Sequence, residues 1–393
     1  MQQDERSAPG LDDSPPPQLE DEATFVALGD VHLDTPFAWA PEAVSRMRRN
    51  DLRDVLSAAV AVAAEVQADA LLLAGDIYEH ERVTPDTARF IARVLNGCET
   101  QVLVSPGNHD WLAASSVWAT AAFEDHVHIF DGRELEPFDV GPTTVWGAAH
   151  HQPSGTGNFL DGFHIDRPGF NLALFHGSEK AGFSIEEPEH SGSSKQPHAP
   201  FEARQIPNAG LDHAVVGHFH RRREAIHHTY PGNPAPLAFG EPGDGGAVVL
   251  HIDAVGGIDR QWRDLSQRSM HDIEIDVSGC LDASAIRDVV AARTGHLEGL
   301  IRLNLTGEVE QSIELVDSDL LSAVGASVDH AVVRRSKLRQ ALDLTTLRGE
   351  ASVRGQFVRA VLEDPTIDDE TRYAVLATGL RALDGRRDLD VAS

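Results

Sequence analysis

Five short apolar runs in this chain stop abruptly at residues that bind metal ions, and few folds can use such a pattern. The first, Phe25–Leu28, ends at Gly29-Asp30, with His32 two residues on. Leu71–Ala74 ends at Gly75-Asp76, and "QVLVSP" ends at Gly107-Asn108-His109-Asp110. Two later runs, "FNLALFH" and "LDHAVVGHFH", end at His176 and at His218/His220. Short apolar runs punctuated by Gly read as buried strands, and loops leaving the carboxyl ends of parallel strands gather at one rim of an open sheet. A single His at a strand end is usually a hydrogen-bonded turn residue. Five donor-bearing ends in succession are hard to place as turns. Oxygen and imidazole donors without thiolate suit Mn, Fe or Zn in octahedral or five-coordinate sites better than a structural zinc site.

The spacing adds chemistry. Asp30 and His32 lie two apart, as do His218 and His220, so in extended chain the members of each pair face the same way and can grip one ion or two adjacent ions. Two ions about 3.5–4 Å apart can clamp both the attacking and the leaving oxygen of an in-line phosphoryl displacement. Asp76, alone on its strand end, is the natural bridging carboxylate. Asn108 can bind a metal without adding charge, and His109 beside it can donate to a phosphoryl oxygen or to the leaving alkoxide. Asp110 either orients His109 or caps the turn; both readings stand.

Around these ends the chain alternates. Leu52, Val55, Ala59, Val62, Ala63 and Val66 recur on one face and predict a helix from Glu42 to Val66. "VTPDTARFIARVLNG" predicts a second, capped by Thr84, opened by Pro85 and stopped by Gly97. "HVHIFDG", "LEPFDV" and "TTVWGAA" suggest an antiparallel middle section, 182–200 a long polar loop, and 244–265 a hairpin turning at Val255-Gly256-Gly257. The expected division is a tail over 1–22, a catalytic domain over 23–268, a small α+β domain over 269–332, and a helical segment over 333–393.

Composition narrows the function. The N-terminus is acidic and Pro-rich, with neither the basic start nor the apolar stretch of a signal peptide, and reads as a disordered tail. No apolar run approaches the ~20 residues that span a bilayer, so a cytoplasmic location and no membrane partner are expected. Cys98 and Cys280 stand far apart, outside any Cys/His cluster, and read as two small buried side chains. The net charge of −29 repels polyanions, and only three of 33 basic residues are lysine. Arg221-Arg222-Arg223, directly after "GHFH", and Arg46, Arg48, Arg49 and Arg53 are therefore the few places where a polyanion could land, with the first cluster preferred.

D-x-H, G-D, G-N-H-D, a later His and G-H-x-H, in that order, resemble the calcineurin-like metallophosphoesterases. Within that superfamily, "GDVHLDTPF", "GHFHRRREAIHHTYPGNPAPLAFGEPGDGGAVVLHID" and "LIRLNLTGEV" are similar to segments of the SbcD/YhaO-type DNA repair exonucleases, over about residues 24–320. The resemblance implies an αββα four-layer sandwich core with a DNA-capping domain. It also implies two divalent ions, most simply Mn, with Fe or Zn as alternatives. Asp30, His32, Asp76 and His220 would hold one ion, and Asp76, Asn108, His176 and His218 the other, with His109 as the catalytic His. Some family members carry a phosphate-positioning His three residues after the bridging Asp. Here Glu79 stands at that place, and His80, one residue later, is the candidate substitute.

The chain carries no phosphate-binding G-x-x-x-x-G-K-[ST] loop. The family implies an SbcC-type coiled-coil ATPase as partner, docked on C-terminal helices like those at 334–384, and a homodimer formed through helices 42–66 and 85–96. Three readings follow. The leading one is a Mn-dependent DNA exonuclease and endonuclease acting in double-strand break repair. The second is a small-molecule phosphoesterase such as a nucleotide or cyclic-nucleotide hydrolase, and the third a scaffold that has lost the chemistry.

Overall fold

A computed structural model describes residues 22–181, 197–241, 243, 245–310 and 313–383. Most of the expected tail, residues 182–196 of the polar loop, and 384–393 of the C-terminal segment lie outside the described residues. The chain divides into two units, Met1–Ser269 and Met270–Ser393. No helix among the described residues is long and apolar enough to cross a membrane.

The first unit opens with β1 (Ala23–Leu28), α1 (Glu42–Glu65), β2 (Ala70–Leu73), α2 (Pro85–Asn96), β3 (Gln101–Val104), α3 (Val117–Thr120) and β4 (Val127–Ile129). It continues with β5 (Glu136–Val140), β6 (Thr143–Gly147), β7 (Phe170–His176), α4 (Gln205–Asn208) and β8 (His213–Gly217). It closes with β9 (Arg223–Glu224), β10 (His228–Tyr230), β11 (Ala247–Ile252) and β12 (Ile258–Arg263). These strands form two six-stranded sheets, β12-β11-β1-β2-β3-β4 and β5-β6-β7-β8-β10-β9.

The apolar runs are continuous because each strand is buried on both faces. Val26, Leu28, Leu71, Leu73, Val102 and Val104 pack with the apolar stripes of α1 and α2. The alternate residues Phe25, Ala27, Leu72 and Leu103 meet Val145, Leu172, Leu174 and Val215 of the second sheet. On that sheet's far side Trp146, Ala173, Phe175, Ala214 and Val216 are covered by Phe159, Phe201 and Ile206. Burying one such Leu or Phe contributes about 1.5–3 kcal/mol. The layers thus run helix, sheet, sheet and cover, and α4, a single turn, is the only named helix in that cover among the described residues. Thr84 caps α2 by accepting from the Thr87 amide, with Pro85 in the first turn.

The middle section departs from expectation. β4 joins the first sheet parallel to β3, and β6 runs parallel to β7; only β5–β6 is antiparallel there. Short strands between Gly and Pro carry no mark of partner choice, which long-range pairing decides. The predicted hairpin is formed by β11 and β12.

The second unit comprises β13 (Met270–Asp276), α5 (Ala283–Thr294), β14 (Gly299–Val309), α6 (Asp317–Ser322) and β15 (Val328–Gln340), then α7 (Leu344–Gly349), α8 (Val353–Glu363) and α9 (Asp369–Leu383). Its three strands are all parallel in the order β13-β14-β15, so strictly alternating strands and helices make it α/β in character rather than α+β. The helical segment read from residue 333 is corrected at its start: residues 333–340 continue β15, paired with β14 as far as Val309–Gln340. Leu347, Val358, Val361, Leu376 and Leu380 hold α7, α8 and α9 together.

Candidate metal centre

The five donor-bearing ends come from two sheets rather than one. β1, β2 and β3 are adjacent and parallel in the first sheet, and β7 and β8 are parallel neighbours in the second. Their carboxyl ends meet because the turns are small. A Cβ on Gly217 would lie 2.1 Å from the Ala74 carbonyl oxygen, and one on Gly107 2.3 Å from Asp76 Oδ1. Only glycine permits these approaches.

Asp30, His32 and Asp76 turn in the left-handed region, with φ of 53°, 54° and 54°, and His218 has φ of 111°. Each such non-glycine residue costs on the order of 1–3 kcal/mol. The strain is held by a ladder between loops: Asp30 N donates to Gly75 O (3.0 Å), His32 N to Asp76 O (2.9 Å) and Leu33 N to Ile77 O (2.9 Å). Asp30 and His32 therefore converge through tight turning, not through the extended chain that their spacing suggested.

Ligand atoms of Asp30, His32 and His220 lie within 4.8 Å of one another, as do those of Asp30, Asp76 and His176 and those of His32, Asp76 and His109. Asp76 belongs to two of these groups. Its Oδ2 sits 3.8 Å from His32 Nε2 and 3.2 Å from His176 Nε2. Its Oδ1 accepts the His109 amide at 2.7 Å. Asn108 Oδ1 is 3.0 Å from the same His176 Nε2. His218 donates its backbone N–H to Asp30 Oδ1 (3.0 Å), and its ring lies 5.2 Å from that of His176.

These residues fit divalent ions. His32 Nε2 is buried and has no hydrogen-bond partner, while its Nδ1 is held by Glu79 Oε1 at 2.8 Å. His176 Nδ1 faces the Ala74 carbonyl at 2.9 Å, which fixes the ring and turns Nε2 inward. An outer partner on one ring nitrogen is the usual arrangement of a metal-binding His. Asp30 and Asp76 are both buried. Burial pushes the Asp30 carboxyl up, and the neighbouring Asp76 adds to the rise despite His176 and His220. A cation beside Asp30 would offset that penalty, while, against burial, His176, His109 and His32 already hold Asp76 well below the usual carboxylate range.

The structure decides one open reading and corrects one assignment. Asp110 does not orient His109: its Oδ1 accepts the amides of Asp76 (3.0 Å) and Gly107 (2.6 Å), and its Oδ2 that of Ile77 (2.9 Å), so it caps the turn. His80 stays outside the cluster, with its ring 4.2 Å from that of Trp111. The residue that faces the centre is Glu79, whose Oε2 lies 2.9 Å from His109 Nδ1 while Oε1 holds His32. Burial would raise Glu79, but the hydrogen bonds from His109 and His32 outweigh it and hold it at about 2. Against burial, the Glu79 hydrogen bond and Asp76 lift His109 to about 9. Replacing Glu79 with Gln is expected to lower kcat roughly 10–100-fold, the usual cost of an outer-shell partner. His80→Ala should change it less than about twofold. Equal effects of the two variants in steady-state assays would refute this assignment.

Glu241 is a site residue that the sequence analysis did not single out. Its Oε1 lies 3.4 Å from His220 Nδ1, and its Oε2 accepts the Leu237 amide at 2.8 Å. The arginine clusters are largely engaged. Arg223 pairs with Glu179 at 2.8 Å and Arg222 lies over the Trp262 ring at 5.1 Å, while Arg221, exposed like Arg222, has no pairing of that kind among the described residues. Arg48 is fully buried against Asp51, and Arg53 pairs with Asp86. Sequence shows the charge but not its partner.

A family model for calcineurin-like phosphoesterases matches residues 23–222. An uncharacterized metallophosphoesterase, YhaO, of Bacillus subtilis (strain 168) is 28% identical over 251 residues, covering 58% of this chain and 57% of that protein. The chain thus spans little more than half the length of this curated relative. Among solved structures, TT1561 of Thermus thermophilus overlays with a TM-score of 0.37 at 16% identity, covering 61% of this chain and 98% of that one. Calcineurin-like phosphoesterase YfkN from Bacillus subtilis overlays at 0.36 and 12%, covering 63% and 92%. The family match takes in just over half the chain, from the first residue of β1 through the G-H-x-H motif, and every cluster ligand falls inside it. The chain belongs to the calcineurin-like phosphoesterase family.

Proposed function

We propose that this protein is a Mn-dependent phosphodiesterase that cuts DNA, as exonuclease and endonuclease, in double-strand break repair. The observation that carries the phosphodiesterase chemistry is the single Asp76 oxygen lying between His32 Nε2 and His176 Nε2, which suits a carboxylate shared by two ions. Asp30, His32 and His220 would complete one site, and Asn108, His176 and His218 the other. The ions, when bound, supply Lewis-acid polarisation of the phosphoryl oxygens and a nucleophile at neutral pH. The chain supplies the rest. Asp30 and Asp76 provide the negative charge that retains the ions. His109, its side chain 45% exposed at the rim, donates to the phosphoryl oxygen or the leaving alkoxide, and Glu79 fixes its ring.

The motif likeness that runs past the catalytic core into β14 supports DNA as substrate. The charge of −29 favours the second reading, a nucleotide or cyclic-nucleotide hydrolase. A homodimer through α1 and α2, and an SbcC-type ATPase on α7–α9, belong to the same proposal. The deciding experiment is Mn²⁺-dependent degradation of end-labelled duplex and single-stranded DNA, with chelated protein as blank and a phosphodiester chromogen alongside. Metal-dependent shortening of either DNA supports the nuclease. Chromogen turnover with DNA intact, even when the ATPase is added, would establish the small-molecule reading instead.

A further inference from the structure

Two loops of the first unit carry half-buried aromatic rings that connect to the metal centre through intervening residues. Trp39 follows β1 and Phe239 precedes β11, and their ring centroids are 4.9 Å apart at 59°. Trp39 spends its indole N–H on the Leu237 carbonyl at 3.3 Å, so its ring is fixed rather than free to swing. Leu237 N in turn donates to Glu241 Oε2, and Glu241 Oε1 lies against His220 Nδ1. A short chain of contacts therefore joins the aromatic pair to a residue of the metal cluster.

One buried charge fastens both loops. Arg48, fully buried in α1, donates to Pro236 O at 2.8 Å in the Phe239 loop and lies 5.6 Å from the Phe37 ring in the Trp39 loop. Asp51 neutralises it at 2.9 Å and is itself bound by Arg268 Nε at 3.1 Å. Phe37 meets Trp39 edge-on at 6.3 Å. Burying an ion pair costs several kcal/mol in desolvation, and packing alone would be served as well by a Leu or Met at position 48. What the arginine adds is a further, directional tie between the two loops.

We propose that Trp39 and Phe239 form a stacking platform for the nucleobase next to the phosphate being cleaved. The proposal rests on the phosphodiesterase reading and names its substrate class, nucleoside phosphodiesters. A base stacked on an aromatic ring needs no sequence-specific hydrogen bond, and every base offers a π-face. Stacking also lets an acidic protein hold a nucleotide without relying on phosphate contacts.

The test compares thymidine 5′-(p-nitrophenyl phosphate) with methyl p-nitrophenyl phosphate, which share a leaving group and differ in the nucleoside. The wild-type protein should favour the thymidine ester in kcat/KM by roughly 5–100-fold. Trp39→Ala and Phe239→Ala should each collapse that preference while leaving methyl ester hydrolysis unchanged, and Trp39→Tyr should retain most of it. A wild-type preference near one, or a preference unchanged in the variants, overturns the proposal. So does an equal loss on both esters, which marks a purely structural role. Nucleoside preference without DNA cleavage would keep the platform and discard the nuclease. Failure to hydrolyse either ester would remove the phosphodiesterase reading and this proposal with it.

Discussion

Asp76→Asn is expected to lower kcat/KM for a phosphodiester by about 10³-fold or more while leaving the fold in place. The side chain has two separable jobs. Its Oδ1 accepts the His109 amide at 2.7 Å, a bond that the Asn carbonyl oxygen can keep. Its Oδ2 approaches both His32 Nε2 (3.8 Å) and His176 Nε2 (3.2 Å), and there Asn would place an NH₂ that cannot bind a cation. Lewis-acid stabilisation of a phosphoryl transfer is worth several kcal/mol, and about 4 kcal/mol already corresponds to ~10³ in rate. Steady-state kinetics, circular dichroism and metal content, measured together, check the claim. Residual activity above a tenth of wild type in a folded variant would mean that Asp76 is not shared between ions.

The second large effect is thermal. Removing divalent metal with a chelator should lower the melting temperature by roughly 5–10 °C per ion, relative to protein in metal at about a hundredfold over Kd. At that excess a ligand specific to the folded state adds about 2.7 kcal/mol, and in units of this size 1 kcal/mol shifts the midpoint by about 2–4 °C. The structural reason is the pair of buried carboxylates, Asp30 and Asp76, held against four left-handed backbone positions. Without a cation, strain and mutual repulsion act together. The same scan on Asp76→Asn should show most of the metal response gone. A midpoint indifferent to Mn²⁺, Fe²⁺ and Zn²⁺ in the wild type would count against any metal centre here.

Much of this was legible from residues near one another in the chain. Phe25 and Val26, or Leu72 and Leu73, point to opposite faces by strand geometry alone, and an unbroken apolar run this short, closed by Gly, fits a strand covered on both sides. The cap at Thr84, Pro85 in the first turn of α2, and the β11–β12 hairpin were equally local. Where a feature depended on a distant partner, sequence reading failed. β4 pairs in parallel with β3, and β15 runs on through residue 340 because β14 offers a partner of matching length. Neither fact is written in the strand's own residues.

The centre divides in the same way. Asp30, His32, Asp76, Asn108, His109, His176, His218 and His220 could be named from sequence because a strand end is a local event, and each donor sits within a few residues of one. Which of them share an ion depends on two sheets stacking with their carboxyl ends together, and on glycines at 107 and 217 that let backbones approach within reach. Glu79 rather than His80 faces His109, and Asp110 is spent on backbone amides, because the left-handed turn at Asp76 rotates the residues after it in a way that spacing does not encode. The arginines show the limit most plainly. A sequence shows how many charges there are, but Glu179 beside Arg223 and Asp86 beside Arg53 are brought there only by folding. The strand-end donors and the layered α/β fold were thus set by local periodicity and turn chemistry. The pairing of donors, the outer partners that aim them and the surface left for a substrate were decided by contacts between residues far apart in the chain.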